Sequence, residues 1–139
     1  VSIGTDIIVG FPGESDAAFQ QTYQLLEDLK LDVAHLARYS PRPNTYSAKF
    51  LADDVPAEEK MRRFRALEDL QKQVVGEINQ RFLGQTQEVL FEGKSKERWR
   101  GRTPTNRLVF VESSEDLVGQ LRNVRITWTG PWSLLGDLV

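Results

Sequence analysis

The chain has 139 residues, a formal net charge of −2, 40% apolar side chains, one histidine and no cysteine. That is enough apolar material for one ordinary domain or two small ones; the missing cysteines exclude disulfides, thiolate metal sites and a cysteine nucleophile, and one histidine excludes a multi-histidine centre. No apolar run approaches the ~20 residues that span a bilayer, and the N-terminus lacks the basic-then-apolar order of a signal peptide, so a cytoplasmic location without membrane contact is expected.

In chain order, Ile3, Ile7, Ile8 and Val9 form a short run too apolar to have a wet face, which predicts a buried parallel strand. It starts almost at Val1, which is not an initiator methionine, so a fragment of a longer protein is expected. The run ends at Gly10-Phe-Pro-Gly-Glu14, Ser15 is a plausible N-cap, and Ala18, Phe19, Thr22, Leu26 and Leu29 recur at helical spacing through Lys30. A second strand, Val33 to Tyr39, follows the turn Leu31-Asp32, making a right-handed βαβ unit. Ligands of such units collect beyond the strand ends, here Gly10 to Glu14 and Arg38 to Thr45. The loop amides at Gly10 to Glu14 could approach an anionic ligand, or its Gly and Pro could serve only the turn. His35 reads as a packed or surface histidine rather than a base.

Ala52-Asp-Asp-Val-Pro56 looks like a helix start, with the two acids beside the positive end of the dipole and Pro56 in the first turn. Met61, Phe64, Leu67, Leu70, Val74, Ile78 and Phe82 then form one apolar stripe ending before Gly84. The helix predicted from Pro56 to Leu83 would be about 42 Å long and act as a strut between two modules. Its basic cluster, Lys60, Arg62, Arg63 and Arg65, reads as a wet face.

After Gly84 come five short strand-like runs: Thr86–Glu92, Arg98–Arg102, Arg107–Glu112, Leu121–Thr129 and Trp132–Val139. Val124, Ile126 and Trp128 alternate with Arg125, Thr127 and Thr129. This spacing predicts a small antiparallel barrel of the OB kind. Six Lys and Arg lie between Lys94 and Arg107 against one acid, Glu97, a local net charge of +5 around an exposed-looking Trp99. Such a ribbon suits the phosphates and bases of RNA; the alternative is a solvated hairpin.

Four motifs then resemble one family, the radical S-adenosylmethionine methylthiotransferases, and within it the MiaB-type tRNA methylthiotransferases. TDIIVGFPGES from Thr5 to Ser15 resembles the fifth-strand motif of the radical-SAM barrel, RYSPRPNTYSA from Arg38 to Ala48 the sixth strand and its exit loop, VPAEEKMRRFRALEDLQ the helix leaving the barrel, and GRTPTNRLVF from Gly101 to Phe110 the signature of a TRAM domain. Asn44 and Tyr46 stand where the family has Gly and Pro. The fold implied is α/β followed by all-β: the βαβ end of a radical-SAM (TIM-like) barrel over residues 1–53, a connecting helix over 54–84, and a five-stranded OB-like TRAM barrel over 85–139.

The resemblance implies the C-terminal part of an enzyme that methylthiolates isopentenyladenosine beside the tRNA anticodon, using S-adenosylmethionine and two 4Fe-4S clusters. The cluster cysteines would precede Val1, so this portion alone is expected to be inactive, to bind no cofactor by itself, and to carry no catalytic or metal-ligating residue. Asp6, Ile8, Gly10 and Pro12 become candidates for lining the S-adenosylmethionine pocket. Lys94, Lys96, Arg98, Trp99, Arg100, Arg102, Asn106 and Arg107 become candidates for the surface holding the anticodon stem-loop. The barrel strands would leave open edges, predicting self-association. Two other readings are a methylthiotransferase acting on a ribosomal protein and a non-enzymatic RNA-binding module.

Overall fold

A computed structural model describes residues 1–139. They fall into two units, Ile3–Val74 and Val75–Val139, the second including Val1–Ser2.

In the first unit, β1 (Gly4–Val9) and β2 (Val33–Arg38) pair in parallel from Gly4 with Val33 to Val9 with Arg38, joined by α1 (Asp16–Leu29). The helix starts where Ser15 Oγ accepts the Ala18 amide at 3.1 Å, and ends at Lys30, whose left-handed backbone returns its amide to the Leu26 carbonyl. Phe19 and Leu26 are its buried residues. The expectation of a strand buried on both faces fails: Thr5, Ile7 and Val9 are covered, whereas Gly4, Asp6 and Ile8 are exposed. The sheet has only two strands, so one face stays open, and Ile8 is 56% exposed upon it.

Beyond β2, a short α2 (Tyr46–Phe50) was not signalled by the sequence. Asn44 there has φ +70°, a left-handed conformation that Asn tolerates nearly as Gly does, and Tyr46 is the first helical residue, where Pro is favoured. Asn44 and Tyr46 are therefore compatible with the turn that a Gly and a Pro would make.

The long helix α3 (Ala57–Gln80) is shorter at both ends than predicted, about 36 Å in length. Glu58 and Glu59, not Asp53 and Asp54, occupy its first turn. At its far end Arg81, Phe82 and Leu83 donate to carbonyls three residues back, so the helix tightens into a turn before Gly84. Leu67, Leu70 and Val74 are buried in the first unit, as the apolar stripe predicts. The wet-face reading of the basic cluster holds for Arg62 and Arg65 but not for Lys60 and Arg63, which are 7% and 4% exposed.

The second unit is a closed barrel of β3 (Thr86–Ser95), β4 (Arg98–Arg102), β5 (Leu108–Val111), β6 (Leu121–Thr129) and β7 (Leu134–Leu138), in the order β3-β4-β5-β7-β6. It is not wholly antiparallel, because β5 and β7 run in parallel. Val89, Phe91, Trp99, Val109, Val111, Leu117, Val124, Ile126 and Leu134 fill the interior. Gly101 lets β4 close on β3, since a Cβ there would lie 2.5 Å from Val89 Cγ1 and 2.6 Å from the Leu90 carbonyl oxygen. The alternation expected along β6 breaks at a bulge between Ile126 and Trp128, which leaves Trp128 49% exposed.

Candidate nucleic-acid interface

Five residues of β4 set the interface. Successive strand side chains point to opposite faces, so burying Trp99 and Gly101 sends Arg98 and Arg100 outward, with Arg102 half-buried. The exposed-looking Trp99 of the sequence is thus a core residue, 6% exposed, with its indole N–H donated to the Ser113 carbonyl at 3.2 Å. Lys94 covers it, Nζ lying 4.6 Å from the ring centroid. The aromatic surface that sequence reasoning missed is Phe110, half-buried on the outer face of β5 and paired across the strands with Arg100. Its signal was present: if Val109 and Val111 point in, Phe110 points out.

Across the outer face, Leu121, Leu90, Arg102 and Leu108 are successive register partners on β6, β3, β4 and β5. Leu90 and Leu121 are 47% and 55% exposed. Arg100 makes no hydrogen bond or ion pair within the protein. Arg98 meets Glu112 at 2.9 Å, but both side chains are largely exposed, so the pair is weak and can be exchanged for a phosphate. Lys96 sits in the left-handed region, φ +57°, at the tip of the β3–β4 hairpin. A hollow of about 430 Å³ lies beside it, lined by Ser95, Lys96, Glu97, Arg98, Phe110 and Glu112.

Two other candidates build the fold. Asn106 has φ +62° in the loop after β4 and gives its amide to the Thr103 carbonyl at 2.8 Å, while its own carbonyl accepts from Arg102 at 3.1 Å. Arg107 donates Nε to Asn79 Oδ1 at 2.8 Å and lays its guanidinium 4.7 Å from the Phe82 centroid. Asn79, only 3% exposed, in turn donates to the carbonyls of Gly130 and Pro131.

In the first unit, Asp6 and Ile8 share the open face of β1, beside His35 and Ala37 of β2. That face places Ile8 and Ala37 beside the Asp6 carboxylate. The loop after β1 does not offer the anion cradle that its sequence allowed. The Gly10 amide donates to Glu14 Oε1 at 2.9 Å, Gly13 to Asp54 Oδ1 at 2.8 Å, and Glu14 to the Phe11 carbonyl at 2.9 Å. Pro12 has no amide hydrogen to donate.

Helix α3 fixes that loop. Arg63 bonds both the carboxylate and the carbonyl of Glu14, at 2.6 and 2.9 Å, and Glu59 at 2.8 Å. Lys60 reaches Asp53 and the Tyr39 carbonyl, and its stem fills the space beside Gly10, where a Cβ would lie 2.3 Å from Lys60 Cγ. Hydrogen bonds from Arg62 and then Arg63 hold the Glu59 carboxyl down at about 2. No cysteine is present, so these residues supply no thiolate ligand.

The TRAM domain family matches residues 80–139. Over 139 residues the chain is 49% identical to a tRNA-2-methylthio-N(6)-dimethylallyladenosine synthase of Dehalococcoides mccartyi, covering 100% of this chain and 33% of that protein. Proteins of the same name from Roseiflexus sp. and Chloroflexus aurantiacus are 51% and 52% identical, covering 99% and 98% of this chain and 30% of each relative. The chain therefore spans about a third of the length of these curated relatives. A solved multidomain protein with nucleic acid binding domains from Streptococcus pneumoniae overlaps 45% of this chain and 27% of its own at 19% identity and a TM-score of 0.37, a likeness too low to carry an argument. No helix is long and apolar enough to cross a membrane. Residues 80–139 thus match the TRAM domain family, and the chain is similar along its whole length to the C-terminal third of proteins named tRNA-2-methylthio-N(6)-dimethylallyladenosine synthase.

Proposed function

We propose that this chain is the C-terminal portion of a cytoplasmic tRNA methylthiotransferase, with residues 85–139 gripping the anticodon stem-loop and residues 1–53 contributing one wall of the S-adenosylmethionine pocket. The observation that carries this reading is the near-50% identity to the named synthases along the whole chain, joined to a TRAM barrel whose β4 arginines face solvent. Lys94, Lys96, Arg98, Arg100 and Arg102 supply the phosphate contacts, Arg100 first because nothing in the protein competes for it. Phe110 takes the base-facing role expected of Trp99, and Trp99 instead supports Lys94 from below. Asn106 and Arg107 shape the loop on which Arg102, at the end of β4, rests its guanidinium.

In the first unit, Ile8 packs against the cofactor's adenine or methionyl region and Asp6 accepts a hydroxyl, while Gly10 and Pro12 set the turn. When bound, S-adenosylmethionine supplies the radical and methyl chemistry, the two 4Fe-4S clusters being held by cysteines outside these residues. The open face of β1 and β2 also supports self-association of this chain alone, which sedimentation at rising concentration would report as a growing mass.

The test uses the full-length protein with both clusters reconstituted. Changing Arg100 and Arg102 to Ala raises the KM for an anticodon stem-loop about tenfold while kcat holds, because uniform binding is lost. An unchanged KM, or modification of a ribosomal protein in preference to the stem-loop, contradicts the reading.

A further inference from the structure

The end of the β6–β7 hairpin carries two indoles that no role described above absorbs. Trp128 is 49% exposed and Trp132 is 59% exposed, whereas Trp99 is buried. Two exposed indoles at one hairpin end make the kind of grouped apolar surface that marks an interaction site. The bulge after Ile126 turns Trp128 outward, and its ring lies over Gly130, where a Cβ would be 2.4 Å from the indole.

The hairpin end is fixed rather than loose. Gly130 donates to the Ser133 carbonyl at 2.9 Å, and the buried Asn79 amide donates to the carbonyls of Gly130 and Pro131 at 2.8 and 3.3 Å. The same Asn79 accepts from Arg107. In the parallel pair β5–β7, Val109 stands opposite Leu134, so Arg107 and Trp132, each two residues earlier, lie at the same end of the paired strands. Arg102 is the register partner of Leu108 at that end, and its guanidinium bonds the Asn106 carbonyl. The basic ribbon thus runs from the β3–β4 hairpin to the indoles.

We propose that Trp128 and Trp132 form a second RNA contact, a stacking platform for unpaired bases of the strand whose phosphates lie along the ribbon. This deepens the RNA-binding reading above and rests on it. Indole faces stack with any base, and a guanidinium at one side favours the phosphate between stacked bases. Pre-ordering by Asn79 removes part of the entropy cost of capture.

The test titrates the 139-residue chain with short single-stranded oligoadenylate and with a blunt RNA duplex at several salt concentrations. The double variant W128L/W132A is expected to bind oligoadenylate about tenfold more weakly, with an unchanged salt slope and unchanged duplex binding. W128F/W132F should recover most of the affinity. Emission of the remaining Trp99 reports that the barrel core is intact. R100A/R102A, by contrast, should lower the salt slope for both RNAs. If W128L/W132A binds oligoadenylate as the parent does, or if its only effect is loss of self-association in sedimentation, the platform is refuted while the ribbon stands. Absence of any RNA binding by the parent chain overturns both.

Discussion

The two units use the same cations in opposite ways. In the first, Lys60 and Arg63 point inward from α3 and tie down the strand ends; in the second, Arg98 and Arg100 point outward from β4 and tie down nothing essential. The difference is geometric. A helix lying on a two-stranded sheet can bury a long side chain lengthwise and deliver its head to carbonyls at the sheet end. A five-residue strand in a closed barrel leaves a charged side chain no place but solvent. Charge density in a sequence therefore does not distinguish a binding surface from an internal tie, and the period of the element carrying it must be settled first.

Several substitutions separate the two uses. The largest effect is expected from Phe91→Ala, which empties a fully buried site of the barrel interior; about 4 kcal/mol of stability should be lost there by chemical denaturation, with β1 amide exchange unaltered. Next comes Arg63→Met. It leaves the Glu14 carboxylate, 14% exposed, without its cation, and about 3 kcal/mol is expected to vanish from the protection of β1 and α1 amides with the barrel untouched. A loss confined to a few tenths of a kcal/mol would show that the tie is ornamental. Ser15→Ala removes the N-cap of α1 and should cost about 1 kcal/mol in the same exchange measurement.

The smallest effect concerns acid. The Glu59 carboxyl is lowered from 4.5 to about 2 by Arg62 and Arg63, so its contribution is complete above pH 4.5 and fades as pH falls towards 2. Glu59→Gln should flatten that limb of the first unit's stability profile by lowering the neutral plateau towards the acid value, and added salt should shrink the difference, since the carboxylate is partly exposed to solvent. An acid limb of equal depth in the variant would assign it to other carboxylates.

Much of this architecture was legible in residue order. Alternation and helical spacing located the βαβ unit and all five barrel strands, with Arg98–Arg102 and Leu121–Thr129 matching to the residue. Three things were not. The inward turn of Lys60 and Arg63 depends on Glu14 and Tyr39, 49 and 21 residues away along the chain, which no local period reveals. Trp99 could sit on either face of a strand whose phase is ambiguous, and only the Val109 and Val111 partners fix it. Trp128 follows Val124 and Ile126 in perfect alternation until one extra residue at the bulge reverses it. In the candidate site, the exposed cations were legible as charge, whereas the outward Phe110 and the engaged loop amides of Gly10 and Gly13 required the neighbouring strand and helix to be in place.

Whether the outward arginines of β4 form an RNA grip is decided by the salt dependence of anticodon stem-loop binding to this chain. Affinity should fall steeply with salt, and the slope should shrink by about two when Arg100 and Arg102 are both changed to Ala, one for each lost phosphate contact. Parallel lines for the parent and the variant would contradict it.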